Sequence, residues 1–153
     1  MSDRYFDQLG SHLARKIYAG PKGAIRLAVL TRDLAEWLPS VDSAPLQVLD
    51  VGAGLGHISA WLAARGHQVT VSEPSAEMLD AARQQLQQAG ATAVDYWQLP
   101  LQALPAKGQQ FDLVICHAVL EWLADPAAAL SHLHALLRPA GALSLAFYNK
   151  DAL

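Results

Sequence analysis

Val48-Leu49-Asp50-Val51-Gly52-Ala53-Gly54-Leu55-Gly56 is the stretch on which the fold turns. An apolar run interrupted only by one acid reads as a strand buried on both faces. Three glycines at every second position then read as a tight turn in which backbone passes close to a ligand. His57–Ala64 has helical spacing, so the unit is strand, glycine turn, helix. That unit presents backbone N–H groups at the carboxyl edge of an α/β sheet.

The spacing narrows the ligand. A dinucleotide fingerprint runs G-x-G-x-x-G, which would place its third glycine at His57. The pattern here is D-x-G-x-G-x-G, and it resembles the first motif of class I S-adenosylmethionine-dependent methyltransferases. Gln68–Ser72 reads as the next strand, followed by Glu73. An acid about 20 residues past such glycines can accept both ribose hydroxyls. Adenosylmethionine therefore fits better than a nicotinamide cofactor.

At 153 residues the chain reads as one domain, 1–153, with a helical arm over 1–45 and a sheet core over 46–153. Its 52% hydrophobic and 16% charged residues are those of a globular protein. No apolar run approaches the ~20 residues of a membrane span, and the amino terminus lacks the apolar segment of a signal peptide. A single cysteine excludes an internal disulfide and a cysteine-rich zinc site, which suits the cytoplasm. His12, His57, His67, His132 and His134 share no metal-ligand spacing with one another or with Cys116, so no metal is expected.

The net charge of −3 hides an asymmetry: the first 32 residues carry +4 and the remainder −7. Arg4, Arg15, Lys16, Lys22, Arg26 and Arg32 supply the positive charge. A basic arm on an acidic body suggests a polyanionic partner; the alternative is an ordinary solvated helix face.

Tyr5, Phe6, Leu9, Leu13 and Ile17 predict an amphipathic helix over 3–18. A second is expected over Lys22–Leu38, with Ile25, Val29, Leu30, Leu34 and Trp37-Leu38 on its apolar face. Arg26 beside that face is either a surface arginine or a cation reaching a cofactor carboxylate. Ser75 is the expected N-cap of a helix with Met78, Leu79, Ala82 and Leu86 inward. Val94–Leu99 and Phe111–Cys116 read as strands. Asp125-Pro126 reads as N-cap and first residue of a helix to Leu137, Arg138–Gly141 as its exit turn, and Ala142–Tyr148 as the fifth strand. His117, at the carboxyl end of the fourth strand, has three readings: a contact to the methionine part of the cofactor, a general base, or a structural histidine satisfied by backbone.

Strands alternating with helices predict a doubly wound, mostly parallel, Rossmann-like α/β sheet. The expected form is the class I methyltransferase type with two amino-terminal helices but without its carboxyl-terminal strand pair, which leaves the fifth strand poorly covered.

One resemblance is closer. Asp3–Asp7, Arg15–Tyr18, Lys22-Gly23, Val48–Gly56, Gly66–Val69, His117–Trp122, Ala124–Pro126 and Phe147–Asn149 resemble the tRNA 5-carboxymethoxyuridine methyltransferase family over nearly the whole chain. That family continues for roughly another hundred residues. The resemblance implies conversion of the carboxymethoxy group of a wobble uridine, in a tRNA anticodon loop, to its methyl ester. It also implies cofactor contacts at Arg26, at Gly52, Ala53 and Gly54 in the glycine turn, at Glu73, at Leu101 in the adenine loop, and at His117. Relatives can have Gly at position 53 and Asp at position 73. Many relatives also have Gly-Gly where this chain has Ala140-Gly141, and an aspartate where it has Pro100.

The implied chemistry needs little acid–base machinery. The nucleophile is a carboxylate, ionised at neutral pH, and no catalytic base is assigned. Two other functions share these features. One is a small-molecule carboxyl or oxygen methyltransferase, and the other is a non-catalytic adenosylmethionine- or tRNA-binding fragment.

Overall fold

A computed structural model describes residues 20–39 and 43–148. The helix expected over 3–18, with Arg4, Arg15 and Lys16, lies outside the described residues.

Five parallel strands form one sheet: β1 (Gln47–Val51), β2 (Gln68–Ser72), β3 (Val94–Trp97), β4 (Phe111–His117) and β5 (Leu137–Ala146). Their spatial order is β3-β2-β1-β4-β5. The chain winds one way from β1 to β3, then restarts beside β1 and winds the other way. The reversal lies between β1 and β4, where open α/β sheets hold ligands outside the strands' carboxyl ends. The register there is Val48↔Leu113 through Val51↔Cys116.

Alternation along β1 and β4 feeds two cores. Val48, Leu113 and Ile115 pack with Leu62, Leu79, Leu86 and Leu34 on one side. Those residues come from three helices, α1 (Pro21–Trp37), α2 (His57–Ala64) and α3 (Ala76–Gln88). Leu49, Val51, Val114 and Cys116 pack on the other side with Leu104, Leu133 and Leu136. That second side is covered by a 3-10 segment, Leu101–Lys107, and by α4 (Pro126–Ala135). A doubly wound sheet is thus observed, with helices on both faces. β1 is buried from Val48 to Val51, whereas no residue of the edge strand β5 is fully buried.

Both predicted caps form. Ser75 Oγ accepts the Met78 N–H at 3.3 Å, and Asp125 Oδ1 accepts the Ala128 N–H at 3.0 Å. Each satisfies one of the N–H groups that the first turn leaves over.

Three expectations need correction. First, α1 turns only part of the expected face inward: Leu30 and Leu34 hold, and Ile25, Val29 and Trp37 do not. Gly23 and Leu34 are buried and Leu27 and Leu30 half-buried, while Ile25 and Trp37 are 65% and 46% exposed and Val29 is also exposed. Residues 23, 27, 30 and 34 share one face at 3.6 residues per turn, and 25 and 29 lie roughly opposite. Second, β5 begins at Leu137, not Ala142, and ends at Ala146. Phe111 pairs with Leu137 and Leu113 with Ala142, so Arg138–Gly141 forms an irregularity inside the strand instead of a turn before it. Arg138 is tied there to Asp112 at 3.0 Å, and a Cβ on Gly141 would meet the Arg138 carbonyl at 2.9 Å. Third, β3 stops at Trp97 and α4 at Ala135.

Candidate functional site

The glycine turn leaves β1 with Gly52, Gly54 and Gly56 at φ of 62°, 58° and 78°. These are left-handed angles that side chains disfavour. At Gly52 the requirement is doubled, because a Cβ would lie 2.6 Å from a methyl of Val119 in the loop after β4. Ala53 between them does not have positive φ, so an alanine fits without strain. The Gly52 N–H donates to the Ser72 carbonyl at 2.8 Å. That bond fastens the turn to the end of β2, one residue before Glu73.

A cleft of about 140 Å³ opens over the β1/β4 reversal. Arg26, Leu27 and Leu30 of α1 form one wall; Asp50, Gly52, Ala53, His57 and Ile58 form the floor and the next wall. His117, Ala118, Ala146, Phe147 and Tyr148 close the β4/β5 side. Of the residues predicted from sequence, Arg26, Gly52, Ala53 and His117 therefore meet at one cleft. Gly54 lies in the turn beside it. Glu73 is buried at the end of β2, where its Oε1 accepts the Ser75 N–H at 3.3 Å. Leu101 has its side chain buried in the second core, which leaves only its backbone to face a ligand.

The electrostatics of the cleft follow from burial. His117 Nε2 lies 2.8 Å from Ser144 Oγ, a side chain of β5 and not the backbone partner that one of its three readings gave it, while its Nδ1 is buried without a partner. Burial pulls this imidazole down to about 4, so it is neutral at pH 7. Burial also lowers His57. Asp50 is buried at the floor of the cleft and is pushed up to about 7 by that burial, opposed by a hydrogen bond from Ser59 Oγ at 2.6 Å. Cys116 is driven up to about 12, first by burial and then by the charges of Asp50 and Glu121. It stays a thiol, as expected of a packing cysteine. The Arg26 guanidinium sits over the Tyr148 ring, 4.6 Å from its centre.

Sequence reading gave no role to Asp50, His57, Glu121, Phe147 or Tyr148. Asp50 is the acid of the glycine motif itself, and His57 follows its last glycine. Glu121 lies in the 3-10 turn Leu120–Trp122, with both carboxylate oxygens shut off from water and without a partner on any other residue. Desolvation raises it, opposed first by its own backbone N–H and then by the charge of Arg26. No sequence pattern marks a carboxylate whose isolation arises only on folding. Among the described residues no group of three or more His, Cys, Asp or Glu could hold a metal ion. Nor is any helix among them long and apolar enough to cross a membrane.

The family model described as a methyltransferase domain matches residues 49–145. The chain is 39% identical over 155 residues to a tRNA 5-carboxymethoxyuridine methyltransferase of Escherichia coli, covering 100% of this chain and 59% of that protein. It is 32% identical over 131 residues to a ubiquinone biosynthesis O-methyltransferase of Cereibacter sphaeroides, covering 82% of this chain and 53% of that protein. Among solved structures, a magnesium protoporphyrin IX methyltransferase from Synechocystis PCC 6803 with bound SAM superposes with a TM-score of 0.80 at 27% identity. That match covers 97% of this chain and 75% of the other.

Proposed function

We propose, from the premise that this chain belongs to the methyltransferase domain family, that it is the cofactor-binding part of a tRNA-modifying methyltransferase. The reaction is methyl transfer from S-adenosylmethionine to the carboxylate of 5-carboxymethoxyuridine at the wobble position of a tRNA anticodon loop. The observation that carries this reading is the 39% identity to the tRNA enzyme across 100% of the chain, against 82% coverage for the ubiquinone enzyme.

The described residues fit the cofactor. The glycine turn lines the cleft at Gly52 and Ala53, within reach of a ligand seated there. Gly52, Ala53 and Gly54 would line the methionine and ribose, Glu73 would accept the ribose hydroxyls, and the Leu101 backbone would meet adenine. Arg26 would pair with the cofactor carboxylate. His117 would contact the methionine part as a neutral group, and its low basicity argues against a general-base role. When bound, the cofactor supplies a methyl group already activated on a sulfonium. The substrate carboxylate needs no deprotonation. What remains for the protein is to align the two and exclude water. Lys22, exposed in the first turn of α1, together with Arg4, Arg15 and Lys16, would meet tRNA phosphates.

Mass spectrometry of nucleosides from tRNA treated with protein and S-adenosylmethionine tests this. The expected product is the methyl ester of 5-carboxymethoxyuridine, and its absence with every tRNA would sink the assignment. The likeness to the ubiquinone enzyme, together with the apolar walls at Leu27, Leu30 and Ile58, supports a second reading. That reading is methylation of a small carboxylate or phenol, which the same assay reveals as product with free acids but not tRNA. The chain spans 59% of the length of the curated tRNA enzyme it matches. Cofactor binding without turnover on either class would therefore identify a binding fragment.

A further inference from the structure

We propose that Phe147 is the stacking surface for the unpaired pyrimidine base that carries the methyl acceptor. This rests on the tRNA reading above and adds to it the residue that receives the base.

The argument begins with strand register. Ala146 pairs with His117, so Phe147 is the first residue beyond the carboxyl end of β5. Glu73 occupies the corresponding place after β2, across β1 and β4. With the ribose held on the β2 side, an acceptor must approach from the β4/β5 side, where Phe147 forms part of the cleft wall. Scattered exposed apolar residues are ordinary on protein surfaces. Phe147 differs because its 58% exposure is at the mouth of the cleft.

The ring has the right chemistry. RNA is read at bases that leave the helical stack and lie against aromatic side chains. Such stacking asks for a π-face and no hydrogen-bonding atom, which is what phenylalanine offers. The neighbouring Tyr148 differs, because one of its faces is covered by the Arg26 guanidinium at 4.6 Å.

The test uses Phe147→Leu, Phe147→Trp and Phe147→Tyr in the protein at its natural length, with steady-state methylation of tRNA, cofactor titration and thermal melting. Leucine keeps apolar bulk but lacks the π-face. The expected result is a rise in KM for tRNA of about tenfold or more with leucine, near-normal KM with tryptophan and tyrosine, and unchanged cofactor affinity and melting midpoint in all three. A leucine variant with the wild-type KM overturns the proposal. So does a leucine variant whose loss is matched by tryptophan and tyrosine, since that outcome reports packing. If the wild-type protein itself leaves tRNA unmethylated, the functional reading and this inference fall together. Wild-type activity with an unaffected leucine variant removes this inference alone.

Discussion

Ser59 of α2 donates its hydroxyl to Asp50 of β1 across 2.6 Å, both residues being buried. Asp50 points to the same side of the sheet as Val48, where α2 packs, so the acid at the foot of the glycine turn is held by the helix that the turn begins. Burial keeps this carboxyl at about 7, against about 3.9 in an unfolded chain. The folded state therefore binds the proton more tightly than the unfolded state. Stability from this group is complete below about pH 4, falls as pH rises, and is lost above pH 7. Asp50→Asn should flatten the decline between pH 4 and 7 and raise stability at pH 8, by an amount on the order of 2–4 kcal/mol. Denaturant titrations at pH 5 and pH 8 check this; equal differences at both pH values would show that the acid does not titrate in that window.

Gly52→Ala should lose cofactor binding and destabilise the fold by about 1–3 kcal/mol, since its φ of 62° and the Val119 methyl at 2.6 Å both oppose a side chain. Adding Val119→Ala should recover the steric part and leave the backbone part. A double variant no better than Gly52→Ala, measured by thermal melting, would assign the whole loss to φ.

Glu73→Ala and Arg26→Ala should separate the two ends of the cofactor. Removing a charged acceptor from the ribose costs about 1.5–3 kcal/mol, so Glu73→Ala should weaken S-adenosylmethionine and 5′-methylthioadenosine alike. Arg26→Ala should weaken only the former, because the thioadenosine lacks the carboxylate. Calorimetry with both ligands decides, and equal losses for Arg26→Ala would return Arg26 to a structural or tRNA-contacting role.

Ala140→Gly should stabilise the protein. Ala140 sits at φ 65° within the β5 irregularity, and an L-residue there costs roughly 1–2 kcal/mol, partly offset by the greater freedom of glycine in the unfolded chain. The net gain should be about 0.5–1 kcal/mol, visible as a rise in the melting midpoint. A fall would mean that the irregularity depends on the alanine methyl.

The parts legible in the sequence were those set by local chemistry. The β1–turn–α2 unit follows from an apolar run and three glycines, and the caps at Ser75 and Asp125 from short acceptors before helical periodicity. The inward face of α1 was legible only at Leu30, Leu34 and Leu38, because Ile25 and Val29 are as apolar as Leu27. Only the packing partner chooses between the two stripes. The start of β5 was hidden because Arg138-Pro139-Ala140-Gly141 has turn chemistry, yet Leu137 before it pairs with Phe111. The site divided in the same way. Arg26, Gly52, Ala53 and His117, named from motif and resemblance, all line the cleft, while the desolvated carboxylate of Glu121 and the position of Phe147 at the cleft mouth depend on contacts between distant segments.

The placement of β1 between β2 and β4 also bears on how the molecule comes together. The Gln47 N–H donates to Asp112 Oδ2 at 2.8 Å, joining positions 65 residues apart. Closing so long a segment carries an entropic cost that local contacts do not. During synthesis, β1, α2 and β2 can associate early, since they are contiguous. The β4/β5 side of the cleft does not exist until residues 111–146 have emerged. A nascent chain therefore carries the glycine turn well before it has a complete cleft, and the cofactor can reward only the late steps of folding.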